Sequence, residues 1–397
     1  MTRPFRRRVL YLPGFDPMPP RRYRELYRRE SRKQAQVGGY DLTMEKPALG
    51  SGFGWRTRAH FPEGEAEAQV EVLVWADMVQ ASMQGGILAT YAQMVRTAWI
   101  YIGSGALRRL MRLRRGPVLA ALYPFAVLLL QLLGAIMVAA LVGWAVAALT
   151  GLSWLAAILA LAAAWGTLAL AERQDHRLFA HYLMHDYAFT ASLQGAYPPG
   201  LEARLAQFAD RVSHALSEDI DEVLVVGHSS GAYLAVSLLA DVLRRGAVTT
   251  HSPALALLTL GHVVPMAAFL PRAHRLRADL SYLSDKPDLF WLDVTAPGDP
   301  CSFALCDPVA VTGVAGPGQR WPLVISAAYT RTLSPRQQRA LRWRWFRLHL
   351  QYLCAFDQPG DYDYFAITAG PRPLAERFAG RRPSPGRITT PAGPGLP

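Results

Sequence analysis

Short apolar runs alternate along this chain with longer stretches in which apolar residues recur every three or four positions. The first read as buried strands and the second as amphipathic helices, and their alternation predicts an α/β fold with a mostly parallel sheet and helices on both faces. Strands are expected at residues 8–12, 70–75, 222–227, 254–260, 289–295 and 323–326. Between the third and fourth, residues 231–245 carry a helical pattern with Leu234, Leu238, Leu239 and Val242 on one face, and Gly246 stands just past its end as a cap. No internal repeat is visible.

This alternation breaks once. From Pro117 to Ala171 there is no Asp, Glu, Lys, Arg or His. The stretch divides at residues 150–153 into two segments, 117–149 and 152–171, and a bilayer is crossed by about 20 residues of helix, so a two-helix transmembrane hairpin is predicted. Arg108, Arg109, Arg112, Arg114 and Arg115 precede the first segment while the turn between the two is uncharged, which puts the arginine-rich side in the cytoplasm. Two crossings return the chain to that side, so sheet strands before and after the hairpin can share one compartment. The expected organisation is a first part of the globular domain at 1–107, the hairpin with its basic flank at 108–175, the main part of the domain at 176–380 and a Pro/Gly-rich disordered tail at 381–397.

Composition narrows the partners. Hydrophobic residues make up 51% of the chain, and the net charge of +12 comes almost wholly from arginine, since only Lys33, Lys46 and Lys286 are lysines. That usage reads as the product of a GC-rich bacterial genome. No zinc-finger spacing, RNP-like motif or recognition-helix pattern accompanies the charge, so nucleic acid is excluded as a partner in favour of anionic membrane lipid. The basic stretch 21–33 is a helix candidate that either rests on that surface or presents a solvated face. Residues 9–12 are too short for the core of a signal peptide. The expected location is the bacterial inner membrane, with both termini and the globular domain cytoplasmic. Cys301, Cys306 and Cys354 are too few for a disulfide framework and lack the Cys-x-x-Cys spacing of a zinc or redox site.

Candidate chemistry centres on Gly227-His228-Ser229-Ser230-Gly231. A buried-strand pattern runs into this Gly-x-Ser-x-Gly sequence and a helix follows at once, which is the elbow that lifts a serine hydroxyl off its strand to a helix amino terminus. In such sites the acid and then the histidine follow the nucleophile along the chain. Asp299 stands just beyond the strand at 289–295, with Asp307 and Asp293 as alternatives. Of the later histidines His251, His262, His274 and His349, only His349 follows the acid. The oxyanion requires two donors: the Ser230 amide is one, and the Phe15 amide in the loop Pro13-Gly14-Phe15-Asp16-Pro17 after the first strand is the other, with Gly14 allowing close approach. His262 reads as a structural residue near the site, and His176, His181 and His185 as structural rather than metal-binding. Neither a metal nor a cofactor is implied.

These residues resemble those of the α/β-hydrolases and, in detail, the class 3 (fungal-type) lipases and bacterial membrane-anchored relatives. The elbow at Gly227 to Gly231, Asp299-Pro300 after a strand, and His349-Leu350-Gln351-Tyr352 are similar to that group's Gly-His-Ser-x-Gly, Asp-x-Val-Pro and His-x-x-Tyr elements. Cys301 departs from the pattern, where an apolar residue is usual, and no apolar lid is evident. The resemblance covers about half the chain and implies a Ser229–His349–Asp299 triad acting on an ester or thioester, with a lipidic acyl substrate suggested by membrane anchoring. The contrasting expectation is a non-catalytic membrane binding or assembly module on the same fold.

Overall fold

The computed structural model describes residues 3–45 and 53–396. Lys46 and the last residue of the expected tail, Pro397, lie outside them. Eight strands form one sheet: β1 (Phe5–Leu12), β2 (Asp41–Glu45), β3 (Gly54–Phe61), β4 (Gly64–Val72), β5 (Glu222–His228), β6 (Ala254–Leu260), β7 (Phe290–Thr295) and β8 (Leu323–Ser326). Their order is β2-β3-β4-β1-β5-β6-β7-β8. From β4 to β8 every pairing is parallel, while β2 and β3 add an antiparallel edge.

The central strands read as unbroken apolar runs because both faces are covered. Along β5, Val223 and Val225 enter the core on one side, and Leu224 and Val226 the core on the other. All six strands expected from the sequence form. The two that were not anticipated, β2 and β3, bury only alternate positions or none, so their apolar signal is weak.

Ten helices bear on the site: α1 (Arg21–Gly38), α2 (Gly86–Gly103), α3 (Arg115–Thr150), α4 (Ser153–Arg173), α5 (Ala180–Ala191), α6 (Pro199–Ala215), α7 (Ser230–Arg244), α8 (His274–Leu283), α9 (Trp345–His349) and α10 (Tyr364–Ala369). Helices α6, α7 and α8 cover one face of the sheet, and α1, α9 and α10 the other. The basic stretch at 21–33 lies in α1, which buries Tyr23, Tyr27, Glu30, Ser31 and Gln34. Tyr27 packs on Trp55, Tyr364 and Phe365, while Arg21, Arg22, Arg28, Arg29 and Arg32 are exposed and Arg24 is half-buried.

Helices α3 and α4 are long and apolar enough to cross a membrane and leave most of their surface exposed. At 36 residues, α3 measures about 54 Å. Its first half is held by the rest of the protein. Tyr91 on α2 donates to the Leu128 carbonyl (3.0 Å), Tyr123 to the Leu178 carbonyl (2.9 Å), and His181 Nε2 lies 3.3 Å from Gln131 Oε1.

The expectation of a disordered tail from residue 381 is corrected over the described part, 381–396. Ser384 donates its N–H to the Val324 carbonyl, and its hydroxyl accepts from Ser326 N–H. Ile388 exchanges backbone hydrogen bonds with Leu305 and Asp307, and Gly393 packs against Phe269. A Pro/Gly-rich composition forbids helix and strand here but not an extended strap that satisfies the free side of β8, a sheet edge otherwise open to foreign strands.

Candidate active site

The site is built at the carboxyl edge of the sheet, where ligands of open α/β folds bind. The turn from β5 into α7 holds Ser229 at φ 59° and ψ −122°, a strained conformation for a residue with a Cβ. The surroundings enforce it. A Cβ on Gly227 would fall 2.5 Å from the Gly231 carbonyl oxygen, and one on Gly231 would fall 2.2 Å from that of Leu12. Only glycine at both positions lets α7 start this close to the strand ends. Ser229 N–H is tied to the Leu260 carbonyl at the end of β6 (2.9 Å).

The structure joins His349 to Asp299, and Ser229 lies next to this pair, since its N–H bonds the Leu260 carbonyl and the His349 ring stands against the next residue, Gly261. Asp299, on the turn after β7, accepts a 2.8 Å hydrogen bond on Oδ2 from His349 Nδ1 and a 3.0 Å one from the Tyr352 hydroxyl, while Oδ1 accepts from Cys301 N–H (2.9 Å). Burial alone would raise this carboxyl. The neighbouring His349 and these hydrogen bonds outweigh it and hold the carboxyl below its ordinary value. The His349 ring rests against Gly261, whose Cβ, if present, would stand 3.2 Å from Cε1, so a side chain there would push the imidazole away. No hydrogen bond joins Ser229 Oγ to His349 among the described residues, and apo sites commonly close that bond only on substrate binding.

The alternative acids are placed elsewhere. Asp307 caps the short helix Pro308–Thr312, accepting from Val309 and Ala310 N–H. Asp293 sits mid-strand in β7, accepts from the Thr259 hydroxyl (2.6 Å) and lies 3.6 Å from His262 Nε2; burial raises it well above the carboxylate range. His262 itself is fully buried, donates to the Cys306 carbonyl (3.0 Å) and is lowered to about 4 by that burial. Its role is structural. His181 and His185 are buried in the helical bundle.

Phe15 reaches the elbow, but its amide donates to Ser230 Oγ (2.8 Å). The expected oxyanion donor is thus engaged. Ser230 N–H, at the first position of α7, has no partner within the helix, and the Ser230 hydroxyl that accepts from Phe15 keeps its own proton to donate. Three contacts were not foreseen, two of them made by residues of the motifs already named. His228 donates from Nε2 to the His349 carbonyl (2.9 Å), with the ring centroids 4.9 Å apart, and burial beside His349 lowers it to about 3, so it stays neutral. Tyr352 bridges Ala296 N–H and Asp299.

Finally, helix α5 roofs the Phe15 loop. Tyr182 donates to the Phe15 carbonyl, and the rings of Tyr182 and Phe189 stand 6.1 and 5.7 Å from that of Phe15. This is the apolar cover that the sequence did not reveal, because nothing in the residues of α5 tells that it packs on a loop 167 positions away.

A cavity of about 260 Å³ opens beside the acid turn, lined by Arg114, Pro300, Ser302, Arg342, Trp345 and Leu348 among others. Asp299, Cys301 and His349 place one potential metal-ligating atom each within 4.8 Å of one another. Because His349 Nδ1 and Asp299 are already bonded to each other, a cation there would have to displace that bond. All three cysteines are free. No family model matches the chain, and no curated protein or solved structure matches it either. The class defined by fold and site geometry is a mixed α/β protein with a central, mostly parallel sheet and a Ser/His/Asp cluster at its carboxyl edge.

Proposed function

We propose that this protein is a membrane-anchored serine hydrolase of the α/β-hydrolase type, cleaving an ester or thioester through an acyl-enzyme intermediate. The observation that carries the reading is the 2.8 Å bond between His349 Nδ1 and Asp299, beside a serine held at positive φ between a buried strand and a helix amino terminus. With Nδ1 bonded to the carboxylate, His349 presents Nε2 as the base. Ser229 Oγ attacks the acyl carbonyl and gives its proton to Nε2. Asp299 stabilises the imidazolium, which then protonates the leaving alcohol or thiol, and water releases the acyl group by the reverse path.

For the oxyanion the reading calls on Ser230 twice, through its amide and through the hydroxyl that Phe15 N–H orients. The hairpin α3–α4 anchors this domain in the bilayer with its basic flank on the cytoplasmic side, and such anchoring suits an acyl substrate that partitions into lipid. The open Ser229–His349 contact and the engaged Phe15 amide favour the second reading, a non-catalytic module on the same fold.

Labelling of the detergent-solubilised protein with a fluorophosphonate probe decides between them. Labelling of wild type that is lost in both Ser229→Ala and His349→Ala is the expected result. A folded wild-type protein that takes no label overturns the hydrolase reading in favour of the module.

A further inference from the structure

The segment ahead of the proposed base reads Arg342-Trp343-Arg344-Trp345-Phe346-Arg347. It interleaves arginine with aromatic rings, and it lies against the foot of the apolar hairpin. Trp345 packs edge-on against Tyr123 near the start of α3, with ring centroids 5.9 Å apart, and Phe346 packs against Phe179, just past α4, at 4.8 Å. Trp343 instead is 78% exposed, with the Arg342 guanidinium stacked 5.3 Å from its ring centroid. Tryptophan and arginine exposed at the level where an apolar helix begins are the side chains that settle in the headgroup layer of a bilayer.

Beside this segment lies the cavity of about 260 Å³, between α9, the acid turn and the start of α3. A Cβ on Gly116, in the first turn of α3, would touch Pro300 at 3.5 Å, so the apolar helix begins against the turn that carries Asp299. Two arginines line the cavity from distant parts of the chain, Arg114 from the basic flank and Arg342 from the segment before α9. Among the described residues neither pairs with a carboxylate: Arg114 donates from Nε to the Ala304 carbonyl (2.9 Å), and Arg342 stacks on Trp343. Asp299 is the one acid among the lining residues, and its oxygens are already engaged by His349, Tyr352 and Cys301 N–H. The first turn of α3 also lines the cavity, through Gly116 and Pro117, and no side chain caps it. An uncapped helix start adds to the preference for an anion. Two guanidinium groups without carboxylate partners on one cavity match a phosphate, whose oxygens arginine grips through paired N–H bonds.

We propose that this cavity binds the phosphate group of a membrane phospholipid, held between Arg114 and Arg342 with Trp343 seated in the headgroup layer. The proposal rests on the membrane-anchored part of the reading above but not on its serine chemistry. Free phosphate offers the same oxygens, and the aromatic flank is what favours the lipid.

The test is calorimetric titration of the full-length, detergent-solubilised Ser229→Ala protein with dihexanoyl phosphatidylglycerol, with inorganic phosphate and with uncharged dihexanoylglycerol. The phospholipid is expected to bind, its affinity falling about tenfold in Arg342→Gln and in Arg114→Gln and recovering in part in Arg342→Lys. Because Arg114 also holds the Ala304 carbonyl, Arg342→Gln, on an exposed side chain, is the deciding variant. Trp343→Ala is expected to weaken the phospholipid and leave inorganic phosphate unchanged. Inorganic phosphate that binds as tightly as the phospholipid, with the same dependence on both arginines, assigns the site to free phosphate. Phospholipid binding that survives both arginine substitutions, or equal binding of dihexanoylglycerol, overturns the proposal.

Fluorophosphonate labelling of the wild type separates this site from the hydrolase reading. Arginine-dependent phospholipid binding in a protein that takes no label keeps the phosphate site and removes the hydrolase. Labelling of a wild type whose phospholipid affinity is unchanged in Arg342→Gln does the opposite.

Discussion

The backbone N–H of Phe15 donates a 2.8 Å hydrogen bond to the hydroxyl of Ser230, the residue after the proposed nucleophile. A hydroxyl fixed as an acceptor on one side has a single proton left to place. The Ser230 amide beside it opens at the start of α7, so both donors converge where negative charge would develop on a substrate carbonyl. The Phe15 amide then acts through Ser230 rather than on substrate directly.

Ser230→Ala is therefore expected to lower kcat by about 100-fold with little change in KM, the loss typical of one oxyanion donor. Ser230→Thr, which keeps a hydroxyl, restores most of it. Steady-state kinetics on a chromogenic ester reads this directly. An alanine variant with higher activity would mean that freeing the Phe15 amide supplies the better donor.

His228 is the unspecified position of the Gly-x-Ser-x-Gly sequence, yet its Nε2 holds the backbone of the proposed base (2.9 Å to the His349 carbonyl). Lowered to about 3 by burial and by His349, it stays neutral across the working range. It contributes no limb to the pH–rate profile above about pH 4. His228→Phe removes the hydrogen bond while filling the space, and is expected to reduce kcat about tenfold by loosening the imidazole, as small misplacements do. A pH profile whose acid limb disappears with His228 would assign the titration to this residue instead.

How much of this arrangement could be read from the chain follows from where the signals lie. The strands β5 to β8 and the second half of β1, Val9 to Leu12, are legible because they are buried on both faces and therefore mostly apolar. Strand β2, with no buried position, gives no such signal. Chain order singles out His349 as the histidine that follows the acid, and the position of Asp299 just past β7 favours it over Asp293 and Asp307, which order alone does not separate. The place of α5 over the Phe15 loop was invisible because it is set by tertiary packing. Nothing in His185-Asp186-Tyr187 tells that α5 folds back over the Phe15 loop. The engagement of Phe15 by Ser230 is likewise a contact across 215 positions. The tail misled for a different reason: composition reports the absence of helix and strand, not the absence of partners.

Asp186, half-buried on α5, carries a stability consequence, because burial raises its carboxyl. Its folded value of about 7 lies above the ordinary 3.8. A raised value means the fold favours the protonated acid, so this contribution is full below pH 3.8 and is lost as pH rises through about 7. Asn imitates the protonated form. Asp186→Asn should match wild type in urea melts near pH 4 and exceed it at pH 8, by about 1–2 kcal/mol once solvent access to the half-buried group is allowed for. A larger advantage of the variant over wild type at pH 4 than at pH 8 would contradict the sign.

The terminal strap makes the last prediction. Between Ser384 and Gly395 the chain donates backbone hydrogen bonds to Val324, Leu305, Val311 and Thr312 and accepts one from Asp307. It also accepts from Ser326 N–H on the Ser384 hydroxyl. Removing residues 381–397 strips these partners from β8 and from the helix that Asp307 caps. It also exposes Cys306 and Phe269, both fully buried with the strap in place. Each unsatisfied buried backbone group costs about 1–3 kcal/mol, and a bare parallel edge invites pairing with another chain. The truncated protein should therefore melt several degrees lower and elute in part as larger assemblies on size exclusion, whereas mutating exposed arginines such as Arg382 to Ala should do neither. The site would suffer too, since β8 pairs with β7 up to Thr295 and Thr295 holds Leu305 N–H at the base of the loop that carries Asp299. An unchanged melting temperature and an unchanged fluorophosphonate labelling rate after truncation would show that the strap lies on the sheet edge without supporting it.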